Sequence, residues 1–246
     1  MFTLERFGQR RYGIVRPACP NGELFVFLHG AKQSGRVLRE FSNRNFDAFA
    51  GQGVTVIYPD GLQRHWNDAR VGMQVHTEDD VAFLSELIAS FHPSRVWGAG
   101  FSNGGEMLLS LLHAAPGLLH GACIIAATQP SPDNFLLDAT GWVPTPIMVV
   151  VGKEDSVYPV RGGNMRGGVL SAQDSAHYFA GLNGAGPRVR RNAQCWEYGG
   201  PAPVRLWELD GVGHVVPCDK AVHSTFLGPA PTDWQVAPEI ARFFWS

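Results

Sequence analysis

Residues 98–107 read GAGFSNGGEM, with one serine, Ser102, set among glycines. The stretch follows a strand-like run, RVWGAG (95–100), and leads into GGEMLLSLL (104–112), a segment apolar nearly all round. Strand, tight turn, helix is therefore the local reading. Gly100-Phe101-Ser102-Asn103-Gly104 fits the pattern G-x-S-x-G. A chain that turns this sharply has no room for Cβ atoms two residues before and after the serine, which glycine supplies. Such a turn presents the hydroxyl at the end of the strand. The competing reading is a plain glycine-rich turn, and the rest of the chain has to choose between them.

Outward from that turn, short apolar runs alternate with helical patterns. The strand candidates are RRYGIVRP, LFVFLHG, VTVIYPD, RVWGAGFS, GACIIAAT, PIMVVVG and VRLWELDG. Several are continuous Val, Ile, Leu and Phe runs, as expected of strands covered on both faces. TEDDVAFLSELIASFH begins with a T-x-x-D cap signal at Thr77 and Asp80, then repeats Val81, Leu84, Ile88 and Phe91 at helical spacing. NGGEMLLSLLHAA is read as a buried helix ended by Pro116, and SAQDSAHYFAGL and APEIARFFWS as two more. The alternation predicts an α/β fold with a mainly parallel central sheet and helices on both faces. Residues 128–144, 157–171 and 183–203, rich in Gly, Pro and polar residues, read as surface loops too short for a large lid. No repeat or linker divides the chain, so one domain over 1–246 is expected.

A serine hydroxyl is a weak nucleophile and needs a base. In the α/β-hydrolase fold, an acid and then a histidine follow the elbow serine in chain order, each after a later strand. PIMVVVGKEDSVYPV places Glu154 and Asp155 after one strand, and VRLWELDGVGHVVP places His214 after the last. His223 follows no strand, His177 lies in a helical pattern, and Asp210 reads as a solvated loop residue. Ser102, Asp155 and His214 are the catalytic candidates. Acyl transfer also needs N–H donors for the oxyanion. The amide of Asn103, directly after the serine, is one candidate. The amide of Ala31, in LFVFLHGAKQSG, is the other, with Lys32 as the alternative. His29 is read as ordering that loop by hydrogen bonding.

With these pieces in place, the chain resembles the polyhydroxybutyrate depolymerase and feruloyl esterase branch of the α/β-hydrolases, including the LpqC-like esterases. FLHGAKQSG, VTVIYPDG, WND, EDDVAFLSELI, GAGFSNGGEM, VGKEDSVYPVRGG, GVGHVVP and APEIARFF run in that family's order from about residue 11 to residue 245. The resemblance implies an α/β-hydrolase fold and a serine carboxylic-ester hydrolase. In the family the acid stands three residues after the strand-ending glycine and four before a proline, so Gly152 and Pro159 select Asp155 over Glu154. The family's histidine matches His214. Members often carry cysteines where this chain has Ala31 and His65, and many are secreted. Together with the lack of a polymer-binding module, these departures point to a small soluble ester rather than a solid polyester. A thioesterase or peptidase using the same residues is the alternative within enzymes. A non-catalytic receptor of the same fold, which often lacks a triad member, is the alternative outside them.

Other features are weaker. Trp66, in WNDAR after the VIYPD strand, is a candidate substrate contact that would stack on an acyl or aryl group, with Arg70 offered to a substrate carboxylate. The alternative is that Trp66 packs the loop while Asp68 and Arg70 pair. Glu78, Asp79 and Asp80 suit a helix start, and RVRR (188–191) reads as solvated surface. A net charge of −2 predicts neither nucleic acid nor an anionic membrane as partner. No apolar run approaches the roughly 18 residues of a membrane span. MFTLERFGQRRYGIVRP lacks the pattern of a signal peptide, so a cytoplasmic location is expected. Nine histidines without metal-ligand spacing, and no nucleotide-binding glycine motif, predict no metal and no cofactor. Cys123 reads as a core thiol, and a Cys195–Cys218 pairing is left open.

Overall fold

The computed structural model describes residues 1–164, 167–221 and 226–245, so His223 lies outside the described residues. The strands are β1 (Phe2–Phe7), β2 (Arg10–Val15), β3 (Glu23–Leu28), β4 (Thr55–Pro59), β5 (Arg95–Phe101), β6 (Gly121–Ile125), β7 (Ile147–Gly152), β8 (Arg188–Asn192), β9 (Cys195–Tyr198) and β10 (Val204–Leu209). The helices are α1 (Gly35–Phe41), α2 (Asp80–Ala89), α3 (Asn103–Ala114), α4 (Ala172–Leu182) and α5 (Val236–Phe244). The strands form one sheet in the order β1-β2-β4-β3-β5-β6-β7-β10-β9-β8. From β4 to β10 every pairing is parallel, and antiparallel strands close both edges.

Every residue of β3, β6 and β7 is buried. Apart from Glu23 at the start of β3 these sequences are apolar or glycine, which agrees with cores on both faces of the sheet. One core takes Leu84, Leu87 and Ile88 of α2, Met107 to Leu109 of α3, and Ala172, Ala176 and Phe179 of α4. The other takes Leu38 of α1, Phe46, Phe49, and Val236, Ala237, Ile240 and Phe244 of α5. No described helix is long and apolar enough to cross a membrane.

Three strands and one helix go beyond the sequence reading. Residues 183–203, read as a loop, contain the β8–β9 hairpin at the sheet edge. All of β8 is exposed, so it carries no alternation of apolar and polar residues. Its arginines suit an edge strand that must not recruit another chain. β1 pairs with β2 along its whole length, and α1 is a short helix capped by Ser34. The cap of α2 is Asp79, whose side chain accepts from the Ala82 amide, rather than Thr77. Asp80 is withdrawn from solvent, where it pairs with Arg10 and accepts from the Asn67 amide at 2.7 Å. Cys195 and Cys218 are buried free thiols, so the pairing left open does not form.

The C-terminal helix is anchored to the sheet through one carboxylate. Glu23 accepts from the indole N–H groups of Trp97 at 2.7 Å and Trp245 at 2.6 Å, and pairs with Arg95. Burial disfavours its charge, but the hydrogen bonds from Trp245 and Trp97 and the Arg95 guanidinium outweigh it and hold the carboxyl below its usual range. Removing this acceptor leaves two indole donors unpaired, at about 2 kcal/mol. Glu23→Ala is therefore expected to lower Tm by about 4–8 °C in a chain of this size, measured by thermal unfolding monitored by circular dichroism.

Candidate active site

The central strands β3 and β5 lie side by side with Leu28 opposite Gly100. From β3 the chain passes to β4 on one side, then returns to β5 on the other. A crevice at the carboxyl ends of the strands belongs at such a switch point. The loops following β3, β5, β7 and β10 carry Ala31, Ser102, Asp155 and His214 to that edge.

Ser102 has φ +54° and ψ −121°, a conformation costly for a residue with a side chain, on the order of 1–3 kcal/mol. Its neighbours impose it. A Cβ on Gly100 would come within 2.1 Å of Gly104 O, and one on Gly104 within 2.2 Å of Leu28 O. The Ser102 amide donates to Ile125 O at 2.9 Å, tying the turn to β6. Lys32, Gln63, Arg64 and Ala126 also have positive φ and also sit in loops at this edge. Backbone strain is thus concentrated around the serine.

Ser102, His214 and Asp155 lie in one hydrogen-bonded line. His214 Nδ1 is 2.7 Å from Asp155 Oδ2, and His214 Nε2 is 2.9 Å from Ser102 Oγ. A carboxylate only accepts, so Nδ1 carries the proton and Nε2 accepts from the hydroxyl. Asp155 Oδ1 accepts from the amides of Val157 at 2.8 Å and Tyr158 at 2.6 Å, which fixes the carboxylate plane. Glu154 is used elsewhere, accepting from the Val212 amide. Asp210 is exposed and paired with Lys153. The three side chains are about 95% withdrawn from solvent, yet the serine stands at the sheet edge.

The amides of Ala31 and Asn103 have no acceptor among the described residues. The Lys32 amide donates to Arg64 O at 2.7 Å, which removes the alternative donor. His29 orders the Ala31 loop: its Nε2 accepts from the Gly61 amide at 2.9 Å and its Nδ1 donates to Gly30 O at 2.8 Å. Burial holds this imidazole neutral and lowers its pKa to about 4.

The expectation for Trp66 is corrected. Its side chain is fully buried, its indole donates to His29 O at 3.0 Å, and its ring lies against that of His29. It packs the loop and offers no surface to a substrate. Arg70 is fully buried as well, bound to Asp68 by two hydrogen bonds of 2.8 and 2.9 Å. The residue that draws this loop inward is Asn103. Its side-chain oxygen accepts from the Trp66 amide at 2.8 Å, and its Nδ2 donates to Trp66 O at 3.1 Å and Asp68 Oδ2 at 2.7 Å. Sequence reasoning used only the backbone of Asn103.

No family profile matches the chain. It is 30% identical over 155 residues to a Nocardia uniformis subsp. tsuyamanensis protein described as "Putative esterase NocK", covering 59% of this chain and 44% of that protein. The chain thus spans less than half the length of this relative. Among solved structures it is similar to an acetyl xylan esterase from Aspergillus awamori, with a TM-score of 0.63 and 14% identity over 88% of this chain and 95% of the other. It is also similar to esterase PE8, with a TM-score of 0.55 and 16% identity over 82% and 90% of the two chains. The chain has the α/β-hydrolase fold. Its mostly parallel sheet, flanking helices and strand-to-helix elbow follow that plan.

The His29 imidazole gives a pH signature. Its pKa in the folded chain lies near 4, below the unfolded value of about 6.5. A proton therefore favours the unfolded state. The stability this provides is present above about pH 6.5 and is lost as pH falls from there through about 4. Tm measured across that window is expected to fall less steeply in His29→Gln than in the wild type. Parallel slopes would remove His29 as the source.

Proposed function

We propose that the chain is a serine carboxylic-ester hydrolase acting through Ser102, His214 and Asp155, with the amides of Ala31 and Asn103 as the oxyanion hole. The observation that carries the reading is the unbroken hydrogen-bonded line from Asp155 Oδ2 to Ser102 Oγ, ending beside two unused amides. The esterase description of the Nocardia relative supports it.

In this reading His214 Nε2 takes the Ser102 proton as Oγ attacks the ester carbonyl. Asp155 holds the ring in the required tautomer and stabilises the imidazolium. The two amides bind the developing oxyanion, and one such donor contributes about 3 kcal/mol to lowering the barrier. His214 then gives its proton to the departing alkoxide, and the alcohol leaves an acyl-Ser102. Water, deprotonated by the same nitrogen, releases the acid. The substrate class is a small soluble ester with a short acyl chain, a hydroxyalkanoate oligomer or an aryl ester such as a ferulate. With Trp66 and Arg70 enclosed, recognition falls to exposed residues around the crevice.

Hydrolysis of nitrophenyl acetate, butyrate and octanoate and of methyl ferulate tests the reading. The wild type is expected to turn over the shorter esters, and Ser102→Ala to lose at least about 10³-fold in kcat. Equal rates in both proteins, or none in either together with no labelling of Ser102 by a fluorophosphonate, would favour a non-catalytic receptor of the same fold.

A further inference from the structure

We infer that Asp68, Arg70, Glu106 and Tyr158 are positioning residues that hold the candidate oxyanion donor and the candidate acid in one frame. The inference rests on the esterase reading above. Behind the elbow these side chains lie along one circuit of polar contacts. Asn103 Nδ2 donates to Asp68 Oδ2 at 2.7 Å. Arg70 grips Asp68 through Nε and Nη2, and its Nη2 lies 2.6 Å from Glu106 Oε2. The Tyr158 hydroxyl donates to Thr128 O at 3.3 Å and lies in the field of the Glu106 carboxylate. The Tyr158 amide donates to Asp155 Oδ1, and Asp155 returns through His214 to Ser102. Glu106 also stands one helical turn beyond the serine, its amide donating to Ser102 O at 3.0 Å.

The arrangement is an expensive way to fill space. The side chains of Asp68, Arg70 and Glu106 are fully shielded from water. Desolvating three charges consumes most of their mutual attraction, and apolar residues of the same volume serve stability equally well or better. What apolar residues cannot supply is direction. The planar Arg70 fork fixes the Asp68 carboxylate. That carboxylate fixes the Asn103 amide group, and Asn103 carries the N–H directed at the oxyanion. At the other end, the Glu106 charge bears on Tyr158, whose amide, with that of Val157, holds Asp155 Oδ1. Burial opposes the Arg70 charge, and the Glu106 charge and the Asp68 hydrogen bond outweigh it. Burial, followed by the Glu106 charge, holds the Tyr158 hydroxyl well above its usual pKa, so it remains a donor.

The test uses Asp68→Asn, Glu106→Gln, Tyr158→Phe and the double variant Asp68→Asn/Tyr158→Phe, each confirmed folded by its thermal transition. With nitrophenyl butyrate each single variant is expected to lose about tenfold in kcat with KM within about twofold, a part of the loss that follows removal of a whole oxyanion donor. The two changes lie at opposite ends of the circuit. A double variant that loses at least threefold less than the product of the single losses supports one connected frame. Independent losses that multiply, or kcat values equal to wild type, overturn it. A second measurement does not depend on turnover: the downfield proton resonance of His214 Nδ1. Displacement of that resonance in Glu106→Gln and Tyr158→Phe supports the positioning role, and an unmoved resonance overturns it. If the wild type turns over no ester, the esterase reading fails and the resonance alone decides.

Discussion

The structure turns on one steric constraint, the approach of the first turn of α3 to the end of β3. At Gly104 the space a methyl group needs is already occupied by Leu28 O. This contact permits β5 to end beside β3 and lets the chain reverse into α3 within a single residue. That residue, Ser102, absorbs the conformational cost. The same reversal leaves the Asn103 amide at the start of a helix, without an acceptor among the described residues, at the end where an anion gains from the dipole. A larger residue at Gly100 or Gly104 would push the helix away and remove both features together. The geometry of the site is therefore a consequence of backbone packing before any catalytic side chain is considered.

Around that turn the polar side chains divide into two groups. One line, from Asp155 through His214 to Ser102, ends at the carboxyl edge of the sheet. The other, from Asn103 through Asp68 and Arg70 to Glu106, runs behind it into the protein. The first begins in the loop after β7, where the amides of Val157 and Tyr158 hold Asp155. The division explains why a loop with the composition of WNDAR is enclosed. Asn103 and the Asp68–Arg70 pair satisfy most of its polar groups under the elbow, which offsets part of the cost of enclosure. It also explains the neutral His29: the ring is a spacer between the Ala31 and Gly61 loops, and a charge there would have no counter-ion.

Much of this was legible in the sequence, for identifiable reasons. β3, β5, β6 and β7 stand out because strands covered on both faces must be apolar throughout. The order of serine, acid and histidine was legible because each follows a strand candidate, β5, β7 and β10. β8 was not, because an exposed edge strand is held by backbone pairing and its side chains carry no pattern. The place of Asp80 was hidden because a carboxylate at a helix start has an ordinary use there, and its partner Arg10 is 70 residues away. The grip of Asn103 on the WNDAR loop left no trace at all. It joins positions 37 and 35 residues apart, and nothing local distinguishes an asparagine that caps a turn from one that clamps a distant loop.

The misplacement of Trp66 comes from that hidden clamp. An aromatic residue in a polar loop near a catalytic edge invites a role in binding. The loop, however, commits an amide, a carbonyl and a carboxylate to Asn103 before it supplies anything to a ligand. Once these bonds form, the indole is carried under the Ala31 loop, where its N–H meets His29 O. It then packs against His29, the residue that orders the Ala31 loop. Its contribution to the proposed reaction would appear in kcat rather than in affinity, because a residue that shapes the donor acts as charge develops and not when substrate arrives. In the proposed reaction substrate preference falls to side chains other than Trp66, whose ring is fully buried.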